Sequence, residues 1–501
     1  MKKIWLLFAV FTVAGSLPLK AQYLVNNNIR NARMLLMDLK IDEAKQLLQN
    51  ELAQHPQNYY VYYLEQTCDA YALLINSDDH EYETFLENYE KWRNIMDGRD
   101  EDSPYYLFCK SEMDLQAGVF NIIHGSQFSG MKKAYNAYIA VYDNLEKYPA
   151  FKPSQKLDGF FNVAMSNMPP FVKWAVSFFG VSSDFEYGKK LLFSLYESQK
   201  NLKGTNAEAA LFIIFMAKIN KTPEMVYPFL QTIDSNLRNL YIIQYFRANI
   251  AYRTGRNRQA DSLLSGLNKD NSSYADLIYN YLKGKILLRA LDDSAAVFTK
   301  RYLTHLKKPE YFKEMTYNLA LTYLLQGNRE EYNRLCEVVK NKGNEINERD
   351  REALYDASLD YEPDINLVKA RLLLNGGYGQ RFVQNMDKFK QNEKPGLPYQ
   401  LEYHLLMGRY NMLEHNYKDC KPFFKWVINR GSNQDYYFAC AAALYMGAVY
   451  EAEGDYDRAK MFYKQSDDLY SSNYYEYLGD KADKGVARVK KLLEKEAARA
   501  K

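Results

Sequence analysis

One stretch near the C-terminus, Cys440 to Asn473, constrains the fold of this chain more than any other. Within it, small and aromatic residues recur at helical spacing, at Gly447, Tyr450, Gly454, Ala459 and Tyr463. Small residues at Gly447 and Ala459 allow two helices to cross closely, the two tyrosines fill the space between them, and Gly454 permits the turn. This spacing, over about 34 residues, predicts two helices joined by a short turn.

Six further stretches carry a similar register, and they begin near Val25, Tyr241, Leu277, Lys313, Pro363 and Leu401. Their spacing resembles that of the tetratricopeptide repeat (TPR) family, and the chain looks like an exported bacterial TPR-containing protein. We find no alternating strand patterns in the sequence. The resemblance therefore implies an all-α fold, an α-α superhelical solenoid of helix-turn-helix repeats.

The register and its interruptions predict six segments along the chain. They are a signal peptide at 1–21, N-terminal TPR-like repeats at 22–150, an atypical helical hairpin insertion at 151–235, TPR-like repeats at 236–346, C-terminal TPR repeats at 347–478 and a charged capping helix at 479–501. The insertion contains a hairpin at Pro169 to Gly180, whose apolar helix runs from Phe171 to Phe179 and includes Trp174. It is interpreted as a hairpin packed on the solenoid or as a wedge that contacts a membrane or a partner.

The N-terminal segment has the features of a secretory signal peptide. Lys2 and Lys3 precede an apolar run from Ile4 to Ala14, which is too short to anchor the chain across a membrane. Cleavage is predicted after Ala21. No cysteine directly follows the apolar run, so no residue there would carry a lipid anchor. A buried helix is the alternative interpretation. We therefore expect an exported protein, periplasmic or secreted, whose mature chain has no transmembrane span.

Composition favours a large core and disfavours nucleic acid as a partner. The chain has 501 residues, 47% of them hydrophobic, and a formal net charge of +3. Residues 1–21 contain three lysines and no acid, so the mature chain is balanced. A balanced chain lacks the long-range field that non-specific binding to nucleic acid requires.

The cysteines predict stability from the core rather than from disulfides. There are five, Cys68, Cys109, Cys336, Cys420 and Cys440, and none forms a C-x-x-C pair. Cys336 and Cys420 stand at repeat positions that small or apolar core residues normally fill, which predicts buried thiols. A Cys420–Cys440 bridge is the alternative.

No motif in the sequence predicts catalysis, a cofactor or a metal. The loop from Gly125 to Gly130 lacks the Lys-Ser/Thr pair and the preceding strand of a phosphate-binding loop. No H-E-x-x-H or G-x-S-x-G motif occurs, and His404 and His415, on one helix, would stand roughly 16 Å apart, too far for one metal. We therefore expect no catalytic, cofactor-binding or metal-binding residues and no enzyme activity.

The TPR resemblance does imply a binding surface. In that family the first helix of each repeat, the A helix, lines a groove that contacts a peptide or protein partner. The positions that match are Tyr245, Asn249, Tyr252, Arg253, Tyr281, Lys285, Arg289, Tyr317, Arg371 and Arg409. Because this set joins tyrosines to cations with few acids, it favours an extended segment that carries carboxylates.

Other interpretations stay open at this point. The ten residues can be ordinary exposed or packing positions of the helices. The chain can be an accessory subunit of an envelope assembly or enzyme complex, or itself an enzyme. An open groove favours the scaffold, whereas a tight polar pocket with converging ionisable groups favours the enzyme.

Overall fold

The computed structural model describes residues 22–76, 78–166, 183–198, 205–219, 223–267, 272–391, 396–471 and 475–499. The predicted signal peptide and the predicted hairpin at Pro169 to Gly180 lie outside these residues. The described residues form 25 α-helices and one short 3₁₀ turn, and they contain no strand. Helices that follow one another in sequence pack as successive pairs, as in an α-helical solenoid. The predicted all-α fold class is confirmed.

Two compact units divide the chain, Met1–Ile250 with Gly266–Asp276 (unit 1) and Ala251–Ser265 with Leu277–Lys501 (unit 2). Helices α1 to α11 belong to unit 1, and they are Asn27–Met37, Ile41–Gln54, Tyr60–Ile75, Asp79–Met96, Pro104–Ile123, Gln127–Lys147, Lys152–Met165, Phe185–Ser198, Thr205–Ile219, Tyr227–Thr232 and Ser235–Arg238. Helices α1 to α8 pair into four hairpins. The first helix of each hairpin is called its A helix below.

Glycines set the close crossings of the unit 1 hairpins. A Cβ atom on Gly130 in α6 would lie 2.6 Å from the carbonyl oxygen of Gly118 in α5. A Cβ atom on Gly188 in α8 would lie 2.6 Å from the carbonyl oxygen of Gly159 in α7. Because backbone meets backbone at both crossings, a side chain at either position would push the pair apart.

Unit 2 continues with further helical pairs. Helices α12 (Tyr241–Arg253) and α14 (Ser273–Ala290) contribute residues to both units. Helices α13 and α15 to α25 belong to unit 2, and they are Asn257–Ser265, Ala295–His305, Phe312–Leu325, Arg329–Asn341, Glu348–Ala357, Ile365–Asn375, Gly379–Gln391, Leu397–Leu413, Tyr417–Gly431, Phe438–Ala452, Tyr456–Asp468 and Glu476–Arg499.

The stretch from Cys440 to Asn473 folds as its spacing predicts, over the part that is described. A Cβ atom on Gly447 in α23 would lie 2.7 Å from the ring of Tyr463 in α24, so glycine is required at this crossing. Gly454 has a φ of +81°, the left-handed turn between the two helices. Gly485 of α25 lies against the same Tyr463 ring, which docks the C-terminal helix on the last repeat.

Helix α18 is an element that the repeat register did not predict. Asn347 caps its first turn by accepting a hydrogen bond from the Asp350 amide. The Asp350 carboxylate in turn accepts hydrogen bonds from the backbone amides of Tyr311 and Glu314, at 2.6 and 2.9 Å. These bonds hold α18 at the start of α16, outside the hairpin pattern.

The cysteines and the helix lengths bear on two further predictions. All five cysteines are buried free thiols, so the Cys420–Cys440 bridge does not form. Within the described residues, none of the helices has the length and apolar character that crossing a membrane requires.

Candidate functional site

The A helices of unit 1 surround a buried cluster of four charged side chains. Glu208 of α9 forms ion pairs with Arg33 of α1 at 2.5 Å and with Lys156 of α7 at 2.8 Å. Lys156 also pairs with Glu112 of α5, at 3.2 Å. We call Arg33, Glu112, Lys156 and Glu208 the unit 1 cluster.

Glu208 is the charge on which the unit 1 cluster depends. Burial acts against its ionised form, but Arg33 and Lys156 more than offset this and lower its pKa to about 2. Both cations lose most of their water here, since the Arg33 and Lys156 side chains are only 11% and 8% exposed. Glu208 therefore neutralises cations that would be costly to bury alone.

The helix that carries Glu208 is itself apolar. Phe212 of α9 packs edge-on against Phe160 of α7, with 5.0 Å between ring centroids. The Lys156 ammonium lies 5.1 Å from the centroid of the Phe212 ring. A helix from the same chain thus covers the A helices of unit 1 and supplies the acid that they require.

In unit 2, side chains of the A helices α14 and α16 form a closed hydrogen-bonded network. Lys285 forms an ion pair with Glu314 and donates to the Tyr281 hydroxyl at 2.9 Å. Tyr281 donates to the second carboxylate oxygen of Glu314 at 2.7 Å. Burial acts against the ionised form of Glu314, but Lys285 above all lowers its pKa in the end. Lys285 is thereby neutralised within unit 2.

Arg289, one helical turn beyond Lys285, has no such partner. Its guanidinium carbon lies 3.6 Å from the centroid of the Tyr252 ring, and it donates to the Tyr252 carbonyl at 2.6 Å. It forms no ion pair with any described carboxylate. Burial, with repulsion from Arg349 and Arg409, lowers its pKa.

Arg371 and Arg409 stand at matching places on α19 and α21, and their charges are balanced differently. Arg371 pairs with Asp356 of α18 at 3.8 Å and with Glu402 at 3.7 Å. Arg409 donates to the Asn375 side-chain oxygen at 2.8 Å and lies 5.4 Å from the Tyr445 ring centroid. Among the described residues, Arg409 has no carboxylate partner. We call Lys285, Arg289, Glu314, Arg371, Glu402 and Arg409 the unit 2 face.

A cavity of about 170 Å³ opens beside Arg371 and Arg409. Its lining is polar and aromatic, and consists of Arg349, Glu352, Arg371, Asn375, Glu402, Leu405, Leu406, Arg409, Tyr437, Ala441, Tyr445, Tyr475 and Tyr477. One carboxylate oxygen, Oε1, of Glu402 and one of Glu352 are buried without a hydrogen-bond donor in the described structure. The cavity thus presents cations, acceptors and tyrosine rings together.

Burial raises the pKa values of the acids at this cavity. It raises the pKa of Glu352 to about 7, although Arg349 lies 2.7 Å away and opposes the change. It also raises the pKa of Glu402 and of Asp356, against the effect of Arg371. Asp356 accepts a hydrogen bond from the Tyr475 hydroxyl at 2.7 Å, which joins α18 to the start of α25.

The structure gathers some of the ten predicted residues and separates others. Tyr245 and Asn249 belong to unit 1, and Tyr317 is buried in the hydrophobic core of unit 2. Arg253 is half-buried in the last turn of α12. Two groups do form, one of Tyr252, Tyr281, Lys285 and Arg289 and one of Arg371 and Arg409.

The ten predicted residues include no acid, but four acids outside that set, Glu314, Glu352, Asp356 and Glu402, neutralise or face the cations. Two signals in the sequence could have found them. Glu314 stands three residues before Tyr317, and Glu402 stands seven residues before Arg409, so each acid shares a helix face with a predicted groove residue. Arg349, Glu352 and Asp356 stand at i, i+3 and i+7, which places them on one helix face.

No described group of three or more His, Cys, Asp or Glu side chains is arranged to hold a metal ion. Comparison with known protein families finds no matching family model. Comparison with curated protein sequences likewise finds no match. The TPR resemblance therefore stays a prediction from the spacing of the repeats.

Proposed function

We propose that this chain is a non-catalytic protein-protein interaction scaffold of the cell envelope, periplasmic or secreted, which docks a peptide or protein partner on the unit 2 face. The observation that carries the proposal is the pair Arg289 and Arg409. Both are half-buried arginines on A helices of unit 2, and neither has a carboxylate partner among the described residues. The proposal involves no cofactor and no nucleic acid.

The electrostatics of the pair support this reading. Removing a cation from water is costly unless an acid compensates it. In the same face Lys285 and Arg371 have such acids, in Glu314 and Glu402. An acidic group on a partner would supply what Arg289 and Arg409 lack, and Tyr252 and Tyr445 would add aromatic contact area beside it. A few such contacts correspond to about micromolar affinity.

The cavity supports a docking role over catalysis. Its volume of about 170 Å³ is below the roughly 300–1,000 Å³ that is usual for small-molecule sites, so it suits one side chain of a partner. No Ser, Thr, Cys or His is present among the described residues that line it. The side-chain nucleophiles and bases that acyl-transfer enzymes use most are thus missing from its lining.

A second candidate, an enzyme, is favoured by one observation. Glu352 has a pKa of about 7 and an unpartnered oxygen in a cavity with three arginines, as a general acid or base would. Glu352 also forms an ion pair with Arg349, one turn earlier on the same helix, and this structural contact also explains its position. We therefore rank the scaffold first.

Site-specific photo-crosslinking tests the docking proposal. A photoreactive phenylalanine analogue replaces Tyr445, which lines the cavity, in the full-length protein expressed in its native cell. The matched control carries the analogue at Met461, which is 53% exposed on α24. We expect a defined adduct from position 445 and none from position 461. Adducts from position 461 alone, or from neither position, would refute docking on the unit 2 face.

Export is tested separately. N-terminal sequencing of the protein recovered from the envelope or the medium should begin at Gln22. Recovery of the chain in the cytoplasm with Met1 to Lys20 intact would rule export out.

A further inference from the structure

We infer that the partner of the unit 2 face presents a helix, and that carboxylate side chains on this helix pair with Arg289 and Arg409. The inference rests on the proposed function, and it specifies the shape and the charge of the partner. It differs from the extended acidic segment that the sequence favoured. The model for the contact is α9, which brings Glu208 to Arg33 and Lys156 in unit 1.

The two sites are built from the same kinds of residue. In unit 1 the A helices contribute Arg33 and Lys156, with Tyr60 and Tyr63 near enough for Glu208 to affect their pKa values. In unit 2 they contribute Arg289 and Arg409 with the rings of Tyr252 and Tyr445. Unit 2 has no counterpart of Glu208, the acid that pairs with both cations of unit 1.

The helical form of the occupant follows from two precedents within the chain. α9 meets the A helices of unit 1 as a helix of 15 residues, with Glu208 in its first turn. α18 meets those of unit 2 as a helix of 10 residues, with Asp356 directed at Arg371. Helices therefore supply the acid in both units. A helix also leaves no backbone polar groups unpaired along most of its length, which suits a half-buried seat.

The cavity adds a second condition on this partner helix. Glu402 is only 4% exposed, and its Oε1 atom has no hydrogen-bond donor. A hydrogen-bond donor on the partner would satisfy this oxygen while a carboxylate of the partner meets the arginines. An amide or hydroxyl side chain on the partner helix can donate this hydrogen bond.

Mapping the crosslinked segment tests the inference. The adduct formed from position 445 is digested, and mass spectrometry identifies the partner residues attached. We expect a segment that is helical in the partner, with Asp or Glu within one turn of the attachment point. An extended segment, or one without a carboxylate there, would overturn the inference and leave docking intact. Absence of any adduct would instead remove the proposed function on which it rests.

A variant pair tests the two arginines themselves. Arg289→Gln with Arg409→Gln should reduce the yield of the position 445 adduct at least tenfold. The control Arg430→Gln, at an exposed arginine of α22, should leave the yield unchanged. Circular dichroism of each variant verifies the fold. An undiminished adduct in a folded double variant would overturn the role of the arginines.

Discussion

Units 1 and 2 each place a helix from outside the repeat register against their A helices, but the charges balance in only one of them. In unit 1, Glu208 of α9 serves both Arg33 and Lys156. In unit 2, Asp356 of α18 serves Arg371, while Arg289 and Arg409 find no carboxylate among the described residues. The same architecture can therefore supply an acid to every cation of its A-helix surface or leave some of them without an ion pair. Which of these occurs depends on where the chain supplies an acid.

The largest effect is expected from Glu208→Gln. The change leaves Arg33 buried without an acid and Lys156 with Glu112 alone, and unit 1 should lose about 3–5 kcal/mol of unfolding free energy. Because two units need not unfold together, hydrogen exchange of peptides from α1 and α7 is the measurement. Glu186→Gln, at an exposed carboxylate, is the control. Unchanged exchange in α1 and α7 would mean that the unit 1 cluster contributes little.

Gly447→Leu tests whether unit 2 depends more on helix packing than on its face charges. A leucine would meet the Tyr463 ring, where even a Cβ atom comes within 2.7 Å, at a cost of about 1–3 kcal/mol. The loss should spread to α25, because Gly485 packs on the same ring. Thermal unfolding and exchange of α25 peptides check this, with Met461→Leu as control. Unfolding identical to that of wild type would mean that the α23–α24 crossing tolerates a side chain.

Glu352 of unit 2 and Glu208 of unit 1 should contribute to stability with opposite dependence on pH. The pKa of Glu352 is about 7 in the folded chain, against an ordinary value of 4.5. Between these values the folded state holds a proton that the unfolded state has lost, so its contribution to stability falls as pH rises. Glu352→Gln should remove this loss and stabilise unit 2 by about 1–2 kcal/mol at pH 8 relative to wild type.

The contribution of Glu208 to stability has the opposite sign of pH dependence. Its folded pKa of about 2 lies below its ordinary value of 4.5, so its contribution is present above pH 4.5 and is lost as pH falls toward 2. Hydrogen exchange at matched intrinsic rates, at pH 5 and pH 8, separates the units. A Glu352→Gln variant with the same pH dependence as wild type in unit 2 would contradict the assignment.

The regular repeats were predictable from the sequence because the interactions are local. Gly447, Gly454 and Tyr463 act within one hairpin, and spacing alone indicates their roles. Arg371 and Arg409 were found for the same reason, since they occupy equivalent positions on successive A helices. Both arginines line the same cavity.

The balance of charge could not be predicted in the same way. Glu208 and Arg33 are 175 residues apart in the sequence, and no periodicity links them. Helix α18 was missed because the repeat register was followed from Lys313 to Pro363, although that interval is longer than the one from Leu277 to Lys313. The acids that these two helices bring to the A helices depend on tertiary packing.

The most direct test compares single arginine variants from the two units. Arg33→Gln leaves Glu208 with only one of its two cations, and unit 1 should lose about 3 kcal/mol or more. Arg289→Gln and Arg409→Gln remove cations that form no ion pair with a described carboxylate, so each should change the stability of unit 2 by about 1 kcal/mol or less. Hydrogen exchange of peptides from α1 and α14 reports the two units in one sample. Equal losses for Arg33→Gln and Arg289→Gln would show that Arg289 is already neutralised within the chain, and would contradict a docking surface built on it.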